Sequence, residues 1–121
     1  MPHCILESSN NIVDRINKRV ILLKVNECLV STGLFNQDDI KSRFIIHNDY
    51  VIGDGDEKRA FVSLNVFILS GRSPAIKKMI SGKCLDLLKQ LFAESLKQLK
   101  FSLTVQITEM DKGSYAKEKS Y

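Results

Sequence analysis

The chain has 121 residues, 44% of them hydrophobic and 26% charged, which is enough for one compact domain with a single core but not for two. Its formal net charge is +4, so weak attraction to anions is expected, yet no aromatic residues are interleaved with a basic stripe as they are in nucleic-acid platforms. No stretch approaches the roughly 18 uninterrupted apolar residues of a membrane span, and we therefore expect a cytoplasmic protein with neither nucleic acid nor membrane as a partner.

The first half of the sequence predicts a strand, a helix and a second strand. Residues 2–8 mix β-branched and other apolar side chains ahead of a polar turn, as strands do. From about Val13 to Thr32 apolar residues recur at helical spacing, and Gly33 supplies a stop. The apolar face of this helix is formed by Leu22, Val25 and Leu29 and widened by Ile16, Val20, Leu23 and Val30. Residues 42–52 favour a strand with an irregularity near Asn48–Asp49, which is either a bulge or a break.

The second half repeats this order after a turn at Gly53–Lys58. That segment superficially resembles a calcium loop, but it lacks the further spaced ligands and the closing Glu of such a loop, so a solvated hairpin turn is predicted. Alternation of apolar residues makes 60–69 the clearest strand in the chain. Ser73–Pro74 has the pattern of an N-cap followed by a first helical proline, and it predicts a long amphipathic helix that reaches about Leu99.

The last predicted element is a strand at 101–108, in which apolar and polar residues alternate. The order strand, helix, strand thus occurs twice. The sequence predicts an α+β fold in which two β-α-β repeats form a four-stranded sheet with two helices on one face. Residues 1–121 are expected to form a single domain, with 111–121 as a polar tail that is loosely held.

The predicted sheet has a second face that two helices cannot reach. Phe61, Phe67 and Leu69 alternate with the core residues of their strand and therefore point to that open face. With no third helix in the chain, another copy of the chain is the economical cover. A homo-oligomer is therefore expected.

Few side chains offer the usual catalytic chemistry. The sequence contains no Gly-rich phosphate loop, no nucleophile elbow and no pair of Cys or His at metal-ligand spacing, so no metal site is expected. Cys4, Cys28 and Cys84 are odd in number and widely separated, which suits reduced, buried thiols. His3 and His47 are isolated, and we expect them to be hydrogen-bonded structural residues.

Pro2 differs from these residues because of its position directly after Met1. Removal of Met1 would leave a secondary amine whose lone pair is not withdrawn by amide resonance. An ordinary α-amino group titrates near about 7.7–8.0, and apolar walls together with nearby cations would lower that pKa. Such an amine could be neutral at physiological pH and shuttle protons. Position alone also fits a proline that merely begins a strand.

Two cationic positions accompany Pro2. Arg72 follows Gly71 and lies just before a predicted helix N-terminus, which is a setting suited to an anion. Lys41 and Arg43 lie at the start of the second strand. A planar guanidinium binds a carboxylate through two hydrogen bonds and can stabilise a developing enolate, whereas an ammonium offers a point charge. Taken singly, each cation also fits an ordinary solvated surface position.

Taken together, these features resemble the 5-carboxymethyl-2-hydroxymuconate delta-isomerase family of the tautomerase superfamily over about 110 residues. No single motif carries the resemblance, which lies in order and spacing. The matching segments are Met1-Pro2-His3, Lys24-Val25-Asn26, Ser31-Thr32-Gly33-Leu34-Phe35, Ser42-Arg43, Ala60-Phe61-Val62 and Gly71-Arg72-Ser73.

The resemblance implies a trimer and a cofactor-free proton transfer in bacterial catabolism of homoprotocatechuate. It implies that Pro2 is the base, and that Arg72 and a cation of the Lys41–Arg43 segment hold the carboxylate and carbonyl oxygens of a di- or tricarboxylic acid. Lys41 stands where related isomerases place an arginine, so either Lys41 supplies charge without the bidentate fork or Arg43 has taken part of the role. Two alternatives stay open: a tautomerase for another enol acid, and a non-enzymatic trimeric binding protein of the same fold.

Overall fold

The computed structural model describes residues 1–121 and contains one four-stranded mixed sheet with helices on one face. The strands are β1 (His3–Ser9), β2 (Lys41–His47), β3 (Arg59–Leu69) and β4 (Lys100–Met110), and the helices are α1 (Lys18–Ser31), α2 (Pro74–Leu91) and α3 (Ala93–Gln98). The strand order is β2-β1-β3-β4, with parallel outer pairs and an antiparallel central pair β1–β3. The predicted pair of β-α-β repeats is confirmed. No helix combines the length and the apolar character that a membrane crossing needs.

The core lies between the sheet and the two long helices. Along β3, every second side chain from Ala60 to Ile68 is buried, which is the alternation read from the sequence. The helices contribute residues at helical spacing, namely Ile21, Val25 and Leu29 from α1, and Ile80, Cys84, Leu88 and Leu91 from α2. Phe61, Phe67 and Leu69 belong to the alternate set of β3 and are half-buried on the face without helices.

Helix α1 is shorter than its sequence pattern suggested, and less of it is buried. It begins at Lys18, because Asn17 caps its N-terminus by accepting hydrogen bonds from the backbone N–H groups of the first turn. Only one stripe of the helix reaches the sheet. Val20 and Leu23, predicted to widen the apolar face, are 41% and 45% exposed. The stop at Gly33 is confirmed, since this residue has the left-handed φ of 75°.

The predicted second helix is interrupted at Phe92 and does not continue unbroken to Leu99. Phe92 is fully buried, and a separate short helix, α3, follows it. The carboxylate of Asp14, from the loop before α1, accepts hydrogen bonds from the backbone N–H groups of Glu94 and Ser95. This long-range cap stabilises a new helix start where the local sequence indicated continuity.

The irregularity predicted near Asn48–Asp49 is a break. Strand β2 ends at His47, because its parallel partner β1 ends at Ser9, opposite His47 in the register. The segment that follows is held by side chains, including a hydrogen bond of 3.0 Å from the Tyr50 hydroxyl to Asn10 Oδ1. Nothing continues the ladder beyond that point.

The C-terminal tail, which its polar composition predicts to be loosely held, makes contacts with His3 and Asp39. The Tyr115 hydroxyl lies 3.2 Å from Nε2 of His3. The ammonium groups of Lys117 and Lys119 each lie 2.8 Å from Oδ1 of Asp39. These hydrogen bonds hold the pKa of the Asp39 carboxyl well below its usual range. The tail therefore crosses the start of β1 and adds positive charge there.

Candidate active site

The sheet topology gathers four chain segments at one edge. Because β1 and β3 are antiparallel, the start of β1 lies beside the end of β3. The outer strands are parallel to their neighbours, so Lys41 pairs with His3 and Met110 pairs with Leu69. Residues before β1, at the start of β2, after β3 and after β4 therefore come together, although they are far apart in sequence.

A cavity of about 520 Å³ lies at this edge. Met1 forms part of its wall, and so does Arg72, which follows β3. Apolar side chains, including Phe35 and Leu69, line it together with polar groups. A concave, mixed apolar and polar site of this kind suits a small organic acid. Of the predicted site residues, Arg72 lines this cavity, and so does Met1, the residue bonded to the predicted base Pro2.

Arg72 is held in place by neutral groups. One of its terminal nitrogens donates a hydrogen bond of 3.1 Å to the Leu34 carbonyl oxygen, and the guanidinium lies 5.2 Å from the centroid of the Phe35 ring. No carboxylate lies within 4.0 Å of it. Because a guanidinium carries five N–H donors, most of them stay available to an anion in the cavity.

The backbone around Arg72 explains this placement. Gly71 has a φ of 119°, a region that side chains rarely adopt, so the chain turns sharply between β3 and α2. The predicted cap at Ser73 is confirmed, since its hydroxyl oxygen accepts a hydrogen bond of 3.2 Å from the Ile76 N–H. Arg72 thus lies between a fixed turn and a capped helix start.

The amino terminus is partly buried and lies among cations. The Met1 ammonium donates a hydrogen bond of 3.0 Å to the Asp39 carbonyl oxygen, and Nζ of Lys41 donates one of 3.1 Å to the same oxygen. Pro2 is fully buried, and its carbonyl oxygen accepts a hydrogen bond of 3.1 Å from the Lys41 N–H. Burial lowers the pKa of the terminal ammonium, and the charges of Lys117 and Lys41 lower it further.

The two candidates for the second cation are separated by the structure. Lys41 shares a hydrogen-bond acceptor with the amino terminus, whereas a terminal nitrogen of Arg43 lies 3.3 Å from Nδ1 of His3, and Arg43 is exposed. Neither residue lines the cavity around Arg72. Burial lowers the pKa of His3, and the Arg43 charge lowers it further. The expected hydrogen bonds of both histidines are present, since Nε2 of His47 lies 2.8 Å from Oε1 of Glu7.

The sequence did not predict the cations that the C-terminal tail supplies to the site. Lys112 lines the cavity, and Lys117 and Lys119 flank Asp39 beside the amino terminus. The position of Lys112 at this edge could have been predicted from the strand order. The predicted β-α-β repeat makes the last two strands parallel, so residues that follow them, such as Arg72 and Lys112, must share an edge. The tail contacts of Lys117 and Lys119 had no such signal.

The cysteines differ from the prediction at one position. Cys4 and Cys84 are buried, but Cys28 is only half-buried, and it lies beside Cys84 on the facing helix. A hydrogen bond from the Cys84 thiol stabilises the Cys28 thiolate and lowers the pKa of Cys28, while the pKa of Cys84 is raised. No group of three or more His, Cys, Asp or Glu side chains is arranged to hold a metal ion.

Comparison with known proteins extends this description. The sequence model of the family described as 5-carboxymethyl-2-hydroxymuconate isomerase matches residues 2–121. The chain is 30% identical over 110 residues to the 5-carboxymethyl-2-hydroxymuconate Delta-isomerase of Escherichia coli, and the match covers 91% of this chain and 87% of that relative.

Solved structures show the same likeness. The crystal structure of a 5-carboxymethyl-2-hydroxymuconate isomerase from Deinococcus radiodurans R1 has a TM-score of 0.90 at 27% identity, covering 98% of this chain and 90% of that chain. A "Q0 fused 4-OT wild type symmetric trimer" shares the fold with a TM-score of 0.75 at 13% identity, covering 95% of this chain and 90% of that one.

Proposed function

Since the chain belongs to the 5-carboxymethyl-2-hydroxymuconate isomerase family, we propose that it isomerises 5-carboxymethyl-2-hydroxymuconate or a similar unsaturated 2-hydroxy or 2-oxo acid. Family membership makes the chain an isomerase of the tautomerase superfamily. The proposed reaction is a cofactor-free proton transfer, keto-enol or 1,3-allylic, and the proposed setting is catabolism of homoprotocatechuate. One observation carries the proposal: Met1, which is bonded to the Pro2 nitrogen, and Arg72 line the same cavity.

The proposed base is the amine of Pro2 after removal of Met1. Met1 lines the cavity, so cleavage of the Met1–Pro2 bond would expose the Pro2 nitrogen to the space that Met1 occupies. The surroundings that lower the pKa of the Met1 ammonium would act on the Pro2 amine as well, one residue further along. A neutral secondary amine at that position can take a proton from one carbon of the acid and return it at another.

The proposed role of Arg72 is to stabilise the negative charge of the dienolate formed between the two proton transfers. As the base removes the proton, negative charge develops on the 2-oxygen of the substrate. Preorganised N–H donors lower the free energy of that transition state. Arg72 already has its side chain fixed by Leu34 and Phe35, so little reorganisation is needed. The proton that leaves one carbon reaches another, and no net charge is gained or lost.

We assign the second cation to Lys41 and not to Arg43. The Lys41 ammonium lies at the carbonyl oxygen that also binds the amino terminus, which supports a role beside the base. Arg43 lies on the same face of β2 as Lys41, but its guanidinium contacts His3 and not the Asp39 carbonyl oxygen. A lysine attracts a carboxylate as a point charge, so the bidentate contact of an arginine is absent here.

The first prediction is that protein isolated from cells begins at Pro2 and isomerises 5-carboxymethyl-2-hydroxymuconate. Intact mass spectrometry should show a chain smaller by one methionine residue, and ultraviolet absorbance should follow the shift of the conjugated double bonds. The Escherichia coli relative, assayed in parallel, controls for substrate quality. If that relative turns over the acid and the processed chain changes the spectrum of no such acid, the proposal fails. Preference for another enol acid would support the tautomerase alternative.

The second prediction concerns assembly, for which we propose a homotrimer. Phe61, Phe67 and Leu69 lie on the face without helices, and Ile45 of β2, on the same face, is 44% exposed. Apolar surface of this extent favours burial against another copy, and the fused 4-OT relative is itself a symmetric trimer. Sedimentation equilibrium at micromolar concentration should give three times the monomer mass. A monomer under those conditions would contradict the proposal.

A further inference from the structure

Lys112 lies where the end of β4 meets the cavity. It begins a short 3-10 turn at Lys112–Ser114, and its backbone N–H donates a hydrogen bond of 3.3 Å to Oγ of Ser70. The Lys112 ammonium lies directly over Gly71, since a methyl group at Gly71 would lie 3.2 Å from Nζ of Lys112. Lys112 and Arg72 therefore border the same cavity on either side of one glycine.

Lys112 is unusual among the lysines around this edge because its charge has no partner. Lys117 and Lys119 pair with Asp39, Lys77 pairs with Glu109, and Lys41 donates to a carbonyl oxygen. Nζ of Lys112 has no carboxylate oxygen within 4.0 Å and no hydrogen-bond acceptor. Lys112 is exposed, and an exposed cation at a cavity mouth without a counter-ion is available to an anionic ligand.

We propose that Lys112 binds a second carboxylate of the substrate and thereby makes this enzyme prefer polycarboxylates to monocarboxylates. The inference rests on the proposed function, because it assigns Arg72 to the reacting end of the acid. Arg72 is then occupied by the reacting end, and Lys41 does not line this cavity. Lys112 is therefore the other cationic side chain on the cavity wall that is free to bind a further carboxylate. Lysine fits this role because a point charge tolerates several carboxylate orientations.

Steady-state kinetics test the proposal with two acids that differ in carboxylate number. The probes are 5-carboxymethyl-2-hydroxymuconate, with three carboxylates, and 2-hydroxypenta-2,4-dienoate, with one. In Lys112→Met, the ratio of kcat/KM for the first acid to that for the second should fall about tenfold, mainly through KM, since the lost contact is made in the ground state as well. Lys112→Arg should restore most of the ratio. Lys89→Met, an exposed lysine of α2 outside the cavity, should leave the ratio unchanged.

A binding measurement separates this proposal from the proposed reaction. Calorimetric titration with propane-1,2,3-tricarboxylate needs no turnover, and its affinity should fall about tenfold in Lys112→Met but not in Lys89→Met. Equal affinity of the wild type and Lys112→Met, or no binding by either, overturns the inference whatever the activity is. Weakened binding together with an inactive wild type would support the carboxylate site and reject the proposed reaction. A circular dichroism spectrum checks that each variant is folded.

Discussion

Protein that retains a residue before Pro2 is expected to turn over its substrate at least about a hundredfold more slowly than protein that begins at Pro2. With Met1 attached, the Pro2 nitrogen is an amide whose lone pair is delocalised into the carbonyl group, so it has no useful basicity. A positioned general base typically contributes about 10²–10⁴ to the rate, and that contribution is what the blocked form loses.

The measurement compares three preparations made by cleavage of an N-terminal fusion. One begins at Pro2, one at Met1, and one carries a single Gly before Pro2, which blocks the amine with little added bulk in the cavity. Both blocked forms should be equally slow. If the Gly-extended protein were fully active while the Met1 form was slow, steric occlusion would explain the loss and Pro2 would not be the base.

The pH dependence of the processed protein provides a second readout of the same prediction. The neutral amine is the active base, so kcat/KM should rise with pH and level off above the pKa of the amine. Burial and the charges of Lys117 and Lys41 lower the pKa of the Met1 terminus, and the same surroundings should place the midpoint for the Pro2 amine below its pKa in an unfolded chain. A midpoint no lower than the pKa of the proline amine in an unstructured peptide that begins Pro2-His3-Cys4 would mean that these surroundings do not act on Pro2.

The elements that the sequence predicted well are those whose signals are local. The alternation along β3, the cap at Ser73 with Pro74 and the stop at Gly33 each depend on neighbouring residues only, and each is present in the fold. The break at Phe92 depends on Asp14, a residue far away in sequence whose carboxylate caps α3. No pattern within 74–99 could have indicated it.

The candidate site follows the same division. The chain positions of Pro2 and Arg72 make them candidates, and the antiparallel pairing of β1 and β3 explains why both lie at the same edge of the sheet. The path of the tail over Asp39 depends on tertiary contacts of Lys117 and Lys119. The polar composition of the tail predicts instead a loosely held segment. Composition indicates how much apolar surface a segment can bury, but it does not indicate which ion pairs the rest of the folded chain will offer.

Arg72→Ala is expected to lower turnover by about a hundredfold or more while the protein remains folded. Removing one preorganised donor to a developing oxyanion typically costs roughly 3 kcal/mol of transition-state stabilisation. Arg72 is half-buried, and its loss removes one hydrogen bond to Leu34 and one contact with the Phe35 ring. Those contacts together contribute about 1–2 kcal/mol to folding, so urea denaturation should show a much smaller effect than the kinetics.

Lys41→Ala and Arg43→Ala, measured beside Arg72→Ala, identify the second cation. Lys41 shares the Asp39 carbonyl oxygen with the amino terminus, so Lys41→Ala should lower kcat/KM, whereas Arg43→Ala should change it little. The reverse result would assign the role of the second cation to Arg43. If Arg72→Ala keeps full activity while a blocked Pro2 abolishes it, the base assignment stands, but the charge that develops on the substrate must be held by another group and the oxyanion role of Arg72 must be dropped.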